Sequence, residues 1–278
     1  MNDSGNLRVN PVHDAQQRAL AAEAICQDIL AGARNQLYLN MRFLDSALAA
    51  LSFQGDMGIH PVGTDGTIFY YQPEELMELF KKSRERVNRT YLHSLLHCIF
   101  LHVLPERDKE GNPAVDIQYW NLACDITVEN MIDSLYLKCV HQPASMAKRQ
   151  ALSMILEEGK VPTAQRVYRR LQTLHLPENK MQELRREFSL DDHCKWYENP
   201  PGSPMLSQRK KKWDDIRDRM QTELETFSKE AGQGGEALVD QLRAQNRNRY
   251  DYREFLRKFS VLKEEMKVDM DTFDYIFY

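Results

Sequence analysis

The sequence predicts an α+β protein that is predominantly α. Long stretches carry apolar residues at three- and four-residue spacing through most of the chain. Glycine and proline breaks cut them into pieces of helical length. One stretch, FQGDMGIHPVGTDGTIFYYQP, changes to short β-prone runs among four glycines. With 278 residues there is room for one large domain or two modest ones, and for a sizeable core.

Residues 1–10 are polar and expected to fray. From Asp14 to Leu51 the chain reads as helix, with Leu20, Ala24, Ile25 and Ile29 at helical spacing. Gly32 marks a break, after which LYLNMRFLDSALAALSF continues as a second helix. Asp65-Gly66 is a strong turn signal and predicts a β-hairpin over Gly58–Val62 and Thr67–Tyr71. Pro73 with Glu74 and Glu75 suits a helix N-terminus, and the helical region that follows divides near Ser83–Asn88. PERDKEGNP (Pro105–Pro113) reads as a loop, and Val115–Leu137 as a further helix. Cys139–Pro143 interrupts. Ser145–Phe188 holds two or three short helices separated near Gly159–Pro162 and at Pro177. Asn199–Pro204 is a loop, and SQRKKKWDDIRDRMQTELETFSKEA a charged amphipathic helix. GQGG is a flexible break before a last helix over Ala237–Leu262. The chain stops at an aromatic DTFDYIFY, an abrupt end that suggests a further domain beyond it; a C-terminal strand or tucked tail would look the same.

A net charge of −4 argues against general nucleic-acid binding. RNRYDYREFLRKFS mixes arginines with aromatics, but its acidic neighbours favour a helix-packing face. Five cysteines, an odd number without a CxxC pair, read as reduced thiols in a cytoplasmic protein. The N-terminus has no signal-peptide pattern, and no apolar run is long enough for a membrane span. There is no phosphate-binding GxxxxGK[ST] loop and no GxSxG elbow.

The stretch with chemistry in it is YLHSLLHCIFLH, followed after a polar turn by YWNLACDITVEN. His93 and His97 stand four residues apart, which on a helix places both imidazoles on one face within reach of a single metal ion. His102 lies five residues further, roughly 140° round an ideal helix, and reaches the ion only if the helix ends or bends. Asp125, on the following helix, is favoured on geometry as third ligand, with His102 the alternative. Cys98 and Cys124 point away from the shared face. Three histidines in ten residues of an otherwise apolar helix need partners if buried, so a metal site competes on even terms with a set of hydrogen-bonded core histidines.

TDGTIFYYQPEELMEL, YLHSLLHCIFLH and WNLACDITVEN together resemble the metallopeptidase-type domain that precedes a von Willebrand factor A-like domain in many bacterial proteins. That family is zincin-like and commonly reads HExxHxxxxH in its middle piece. The resemblance implies a zincin-like core, zinc held by His93, His97 and Asp125 or His102, and Asn121 as a supporting residue. It also implies that Thr67, Phe69, Tyr70 and Tyr71 form an edge strand on which an extended peptide is bound. Family relatives are often found with MoxR-type AAA+ ATPases, so these and a von Willebrand factor A-like domain are expected partners, with no nucleic acid and no membrane. No DxSxS motif occurs, so that domain is not expected within this chain.

The departure is Ser94, which stands where such a site carries its general-base Glu. A hydroxyl of ordinary pKa cannot take the proton a carboxylate takes. Glu129 or Asp133 could substitute. The expected organisation is a zincin-like domain over 1–143 and a helical region over 144–278. The expected function is a zinc-binding, peptidase-like domain, catalytically impaired and acting in protein binding or complex assembly. The alternatives are an active zinc peptidase with a substitute base and a metal-free helical scaffold.

Overall fold

The computed structural model describes residues 11–104, 115–135, 137–156, 162–199 and 202–231. The polar first ten residues, the Pro105–Pro113 loop, the glycines after Ala231, the helix over Ala237–Leu262 and the aromatic end lie outside the described residues. The fold is α+β and predominantly α, with one three-stranded sheet.

Helix α1 (Pro11–Asn40) runs unbroken through Gly32, where the sequence predicts a break. A lone glycine costs a helix only about 1 kcal/mol. The buried stripe of Cys26, Leu30, Ala33 and Leu37 holds the axis across it. A 3-10 turn (Arg42–Leu44) and the short α2 (Asp45–Leu48) follow.

The sheet contains β1 (Ser52–Gly55), β2 (Val62–Thr64) and β3 (Ile68–Tyr71), in the order β1-β3-β2. The Asp65-Gly66 turn is present. Asp65 accepts from the amides of Thr67 and Ile68, and Gly66 takes a φ of 86° that a side chain rarely adopts. The first hairpin strand starts at Val62 rather than Gly58, since Pro61 has no N–H to give a ladder. The larger correction concerns β3. It is the middle strand, parallel to β1 and antiparallel to β2, so Thr67, Phe69, Tyr70 and Tyr71 offer no free edge. Phe69 and Tyr71 are buried, and Phe69 packs edge-on against Phe53 and Tyr91. The four-residue β1 is too short for its alternation to be legible, which is why the sheet reads as a simple hairpin.

Helix α3 (Pro73–Lys82) ends at Ser83, which then caps α4 (Arg84–Ile99) by accepting from the Arg86 amide. Every residue of α4 from Val87 to Ile99 is buried, so this is the central helix of the molecule. Helix α5 (Ile117–Ser134) is capped by Asp116 and packs against α4. Helices α6 (Met146–Ile155), α7 (Ala164–Leu174) and α8 (Glu178–Phe188) cover the other side of α5. A second cluster forms there from Leu122, Ile126, Val167, Leu171, Leu184 and Phe188. After a 3-10 turn (Cys194–Trp196), α9 (Pro204–Ala231) returns to the sheet. Its Trp213 donates to the Gly66 carbonyl at 2.7 Å, and its Arg209 pairs with Asp65. The main core is continuous across residue 143, joining Leu92 and Leu95 to Ala164, Trp196 and Trp213. Among the described residues, no helix is long and apolar enough to cross a membrane.

Candidate metal centre

Helices α4 and α5 face each other through residues spaced one turn apart. On α4 these are Arg89, His93 and His97; on α5, Asp133, Glu129 and Asp125. The pairing runs antiparallel. Arg89 meets Asp133 at 2.5 Å and Glu129 at 2.7 Å, and His93 Nδ1 meets Glu129 at 3.1 Å. His93 Nε2 and His97 Nε2 lie 3.4 Å and 3.3 Å from Asp125 Oδ1. Lys148 from α6 binds both Glu129 and Asp133. The four-residue spacing of the carboxylates, DITVENMID, thus answers that of the histidines.

Two further donors come from the segment after α8. Its backbone meets β2 at Asp192, while the side chains of Asp191 and His193 reach the cluster. The Asp192 amide donates to the Val62 carbonyl at 2.7 Å, and Asp192 bridges in parallel to Gly63. A Cβ at Gly63 would stand 2.6 Å from the Asp192 carbonyl oxygen, so glycine is what allows the segment this close. In the cluster, His193 Nε2 lies 2.9 Å from Asp191 Oδ1 and 3.1 Å from Asp125 Oδ1. Trp196 stacks on the His193 ring at 3.8 Å.

His93, His97, Asp125, Asp191 and His193 each offer one ligand atom, and those atoms all lie within 4.8 Å of one another. All five residues are buried. Four tests favour a cation among them. Both α4 imidazoles turn Nε2 to the cluster while Nδ1 is engaged behind: His93 with Glu129, His97 with His102 at 3.0 Å. Asp125 Oδ1 is buried among three imidazole Nε2 atoms at 3.1, 3.3 and 3.4 Å and makes no well-directed hydrogen bond to any of them. His93 Nε2 and His97 Nε2 stand 2.9 Å apart and so converge on one point, which a shared proton or a cation can fill. Nitrogen and carboxylate donors in this number suit a divalent transition metal.

The electrostatics agree. Burial alone would lower the pKa of His93, but Asp191, Asp125 and Glu129 outweigh it and hold it well above the ordinary imidazole value. Burial is likewise overcome at His193, where Asp125 and Asp191 raise the pKa to about 10. His97 stays neutral: burial, reinforced by His93 and His193 against the pull of Asp191 and Asp125, brings it to about 4. Asp125 and Asp191 are held well below the carboxylate range against their own burial, chiefly by His193. Without a metal, the two carboxylates are thus balanced by protons on His93 and His193. Those two protons carry the charge of one divalent ion, in the same place.

His102 does come back beneath His97, because α4 ends in a Schellman turn. The His102 amide bonds the His97 carbonyl, the Leu101 amide bonds the Cys98 carbonyl, and Leu101 takes a φ of 59°. The ring meets His97 Nδ1 rather than the cluster, and burial with His97 nearby keeps it neutral. Asn121 accepts from the Tyr197 hydroxyl at 2.5 Å, one turn from Asp125. Glu129 and Asp133 stand on the Nδ1 side of His93, tied to Arg89 and Lys148, and do not face the Nε2 atoms. Cys98 and Cys124 are buried outside the cluster. Ser94 donates to Asp191 Oδ2 at 2.6 Å. Asp191 and His193 are absent from the sequence-based site; their only local signal is the Asp-Asp-His run at 191–193 in an otherwise plain segment.

A cavity of about 600 Å³ reaches the site from outside. Asp125, Asp191 and His193 form its floor, with Gln118, Asn121, Arg185 and Tyr197 among its walls.

No curated protein and no solved structure matches the chain. A protein family described as "putative metallopeptidase domain" does match, over residues 27–269. The match takes in α4, α5 and the Asp191–His193 segment together, and the chain belongs to that family.

Proposed function

We propose that this domain holds a zinc ion with His93, His97, Asp125, Asp191 and His193, and that it serves as a peptidase-like binding or assembly module with little hydrolytic activity. The observation that carries this is the 2.6 Å hydrogen bond from Ser94 to Asp191. The position that would present a base to the site instead fixes a carboxylate that belongs to the donor set. A catalytic zinc site keeps a coordination position open, usually with three protein ligands. Five buried donors within 4.8 Å of one another leave little room for a sixth group. An ion bound here would supply the positive charge that the two carboxylates call for, and the residues on the Nδ1 side of His93 and His97 would orient those rings. The partners we propose are protein segments, in particular a von Willebrand factor A-like domain or a MoxR-type ATPase.

A second reading is favoured by the cavity. Its floor includes Asp191, so an active peptidase using Asp191 as base is the competing proposal. Metal analysis of protein purified without a His tag, together with peptide hydrolysis before and after chelation, decides. Near-stoichiometric zinc without cleavage supports the binding module. Robust cleavage that is lost on chelation and on Asp191→Asn would establish the peptidase. Protein with no metal, and with unchanged stability in His93→Ala, would sink both.

A further inference from the structure

The sheet edge beside the metal centre is β2, and it is not free. The chain's own Asp191–His193 segment meets it at one parallel bridge, Asp192 to Gly63, with the Asp192 amide donating to the Val62 carbonyl. The same segment delivers Asp191 and His193 from above α4 and α5. Remove it, and His93, His97 and Asp125 remain: three ligands on two packed helices, open toward the cavity, beside an unpaired strand edge. That is the arrangement on which an extended polypeptide could add a strand and reach the ion.

We propose that Ser189–Trp196 is an intramolecular strap that occupies the peptide-binding edge of this domain and closes its metal site. The contacts suit that role because they are divided between the two tasks. Asp192 pairs with β2 by backbone alone, as a bound peptide would. Asp191 is held by Ser94, and Ser189 donates to Asp125 Oδ2 at 2.5 Å, so the start of the ligand-bearing run is tied to one α4 and one α5 residue of the site. Trp196 anchors the far end in the core and stacks on His193. Gly63 is the fitted position, since any side chain there drives the Asp192 carbonyl outward. The ligand class that the edge takes is therefore an extended polypeptide, and its present occupant is this chain.

The inference rests on the metal-binding reading above, and cobalt separates the two. The full chain, purified without a tag, is loaded with Co(II); its d–d absorption and its release to a chelator are followed. Wild type is expected to hold one cobalt with the weak absorption of a five-coordinate ion. Asp191→Ala/His193→Ala should still bind cobalt, with the intense absorption of a four-coordinate ion and release faster by about tenfold or more. Gly63→Ala keeps all five donors. It should shift both readouts in the same direction to a lesser degree and speed exchange of the Asp192 amide. If the double alanine variant does not fold, Asp191→Asn/His193→Gln gives the same reading with shape preserved. Spectra and release unchanged from wild type in these variants would overturn the strap. So would a folded double variant that binds no cobalt, since the segment would then be part of the site and not a cover over it. Wild type that binds no cobalt removes the metal-binding reading itself and the strap with it.

Discussion

Ser94 on α4 and Asp191 on the segment after α8 are joined by a 2.6 Å hydrogen bond, with both side chains buried. Ser94→Ala leaves Asp191 Oδ2 without that donor, and a buried acceptor stripped of its partner costs about 1–3 kcal/mol. Ser94→Glu should cost more, because it buries a second carboxylate against Asp191. Ser94→Glu/Asp191→Ala should recover much of that loss, a non-additivity that urea unfolding of this variant beside Ser94→Glu and Asp191→Ala will read. If any variant gains hydrolysis, it should be the double one.

Glu129 holds His93 from behind and is itself held by Arg89 and Lys148. Glu129→Gln keeps the shape and removes the charge. Zinc affinity is expected to fall by about 10–100-fold, measured by competition with a chromophoric chelator. Stability should fall as well, because Arg89 and Lys148 lose a buried counter-ion.

His102 is expected to matter for metal binding without touching the metal. In His102→Ala the Nδ1 proton of His97 loses its acceptor, and affinity should drop by roughly tenfold or more. The number of metal ions bound at saturation should stay the same, which distinguishes an orienting residue from a ligand.

Acid should weaken the metal-free protein through Glu129. Burial opposes its ionisation, but His93, Arg89 and Lys148 bring its pKa down from 4.5 to about 2. A carboxylate depressed in the folded state contributes stability that is present above its unfolded pKa and lost as pH falls through the folded one. The loss should therefore fall between about pH 4.5 and pH 2. Glu129→Gln should flatten that limb of the stability–pH curve in chelator-treated protein.

Removing the metal should lower the melting temperature. An ion that binds only the folded chain adds about 2.7 kcal/mol at a free concentration a hundredfold above its Kd. The shift should grow with added zinc, and His93→Ala should abolish that dependence.

The parts of the structure set by local rules were legible in the sequence. The Pro73 start of α3 with its acidic first turn and the Asp65-Gly66 turn are short-range events, and so is the four-residue spacing of His93 and His97. What depended on distant pairing was not. Strand β1 shows itself only by lying parallel to β3, and that pairing moved β3 from the edge to the middle. Gly32 looks like a break because its cost is local while the packing that offsets it is not. Asp191 and His193 sit far from the histidine helix in sequence, and long-range contacts at Gly63, Ser94 and Asp125 bring them in. The carboxylate series Asp125, Glu129, Asp133 was visible, but its meaning needed the antiparallel register of α4 and α5.

The Ser94–Asp191 bond spans 97 residues of sequence, and that separation has a bearing on when the site can come into being. Synthesised from its N-terminus, the chain has His93, His97 and Asp125 available well before residue 193 exists. A nascent chain at that stage carries three of the five donors on two helices. Completion waits for α6, α7 and α8 to be made and to pack on α5. Metal captured early would be held loosely, and retention would be a late event that reports whether the following helices have folded.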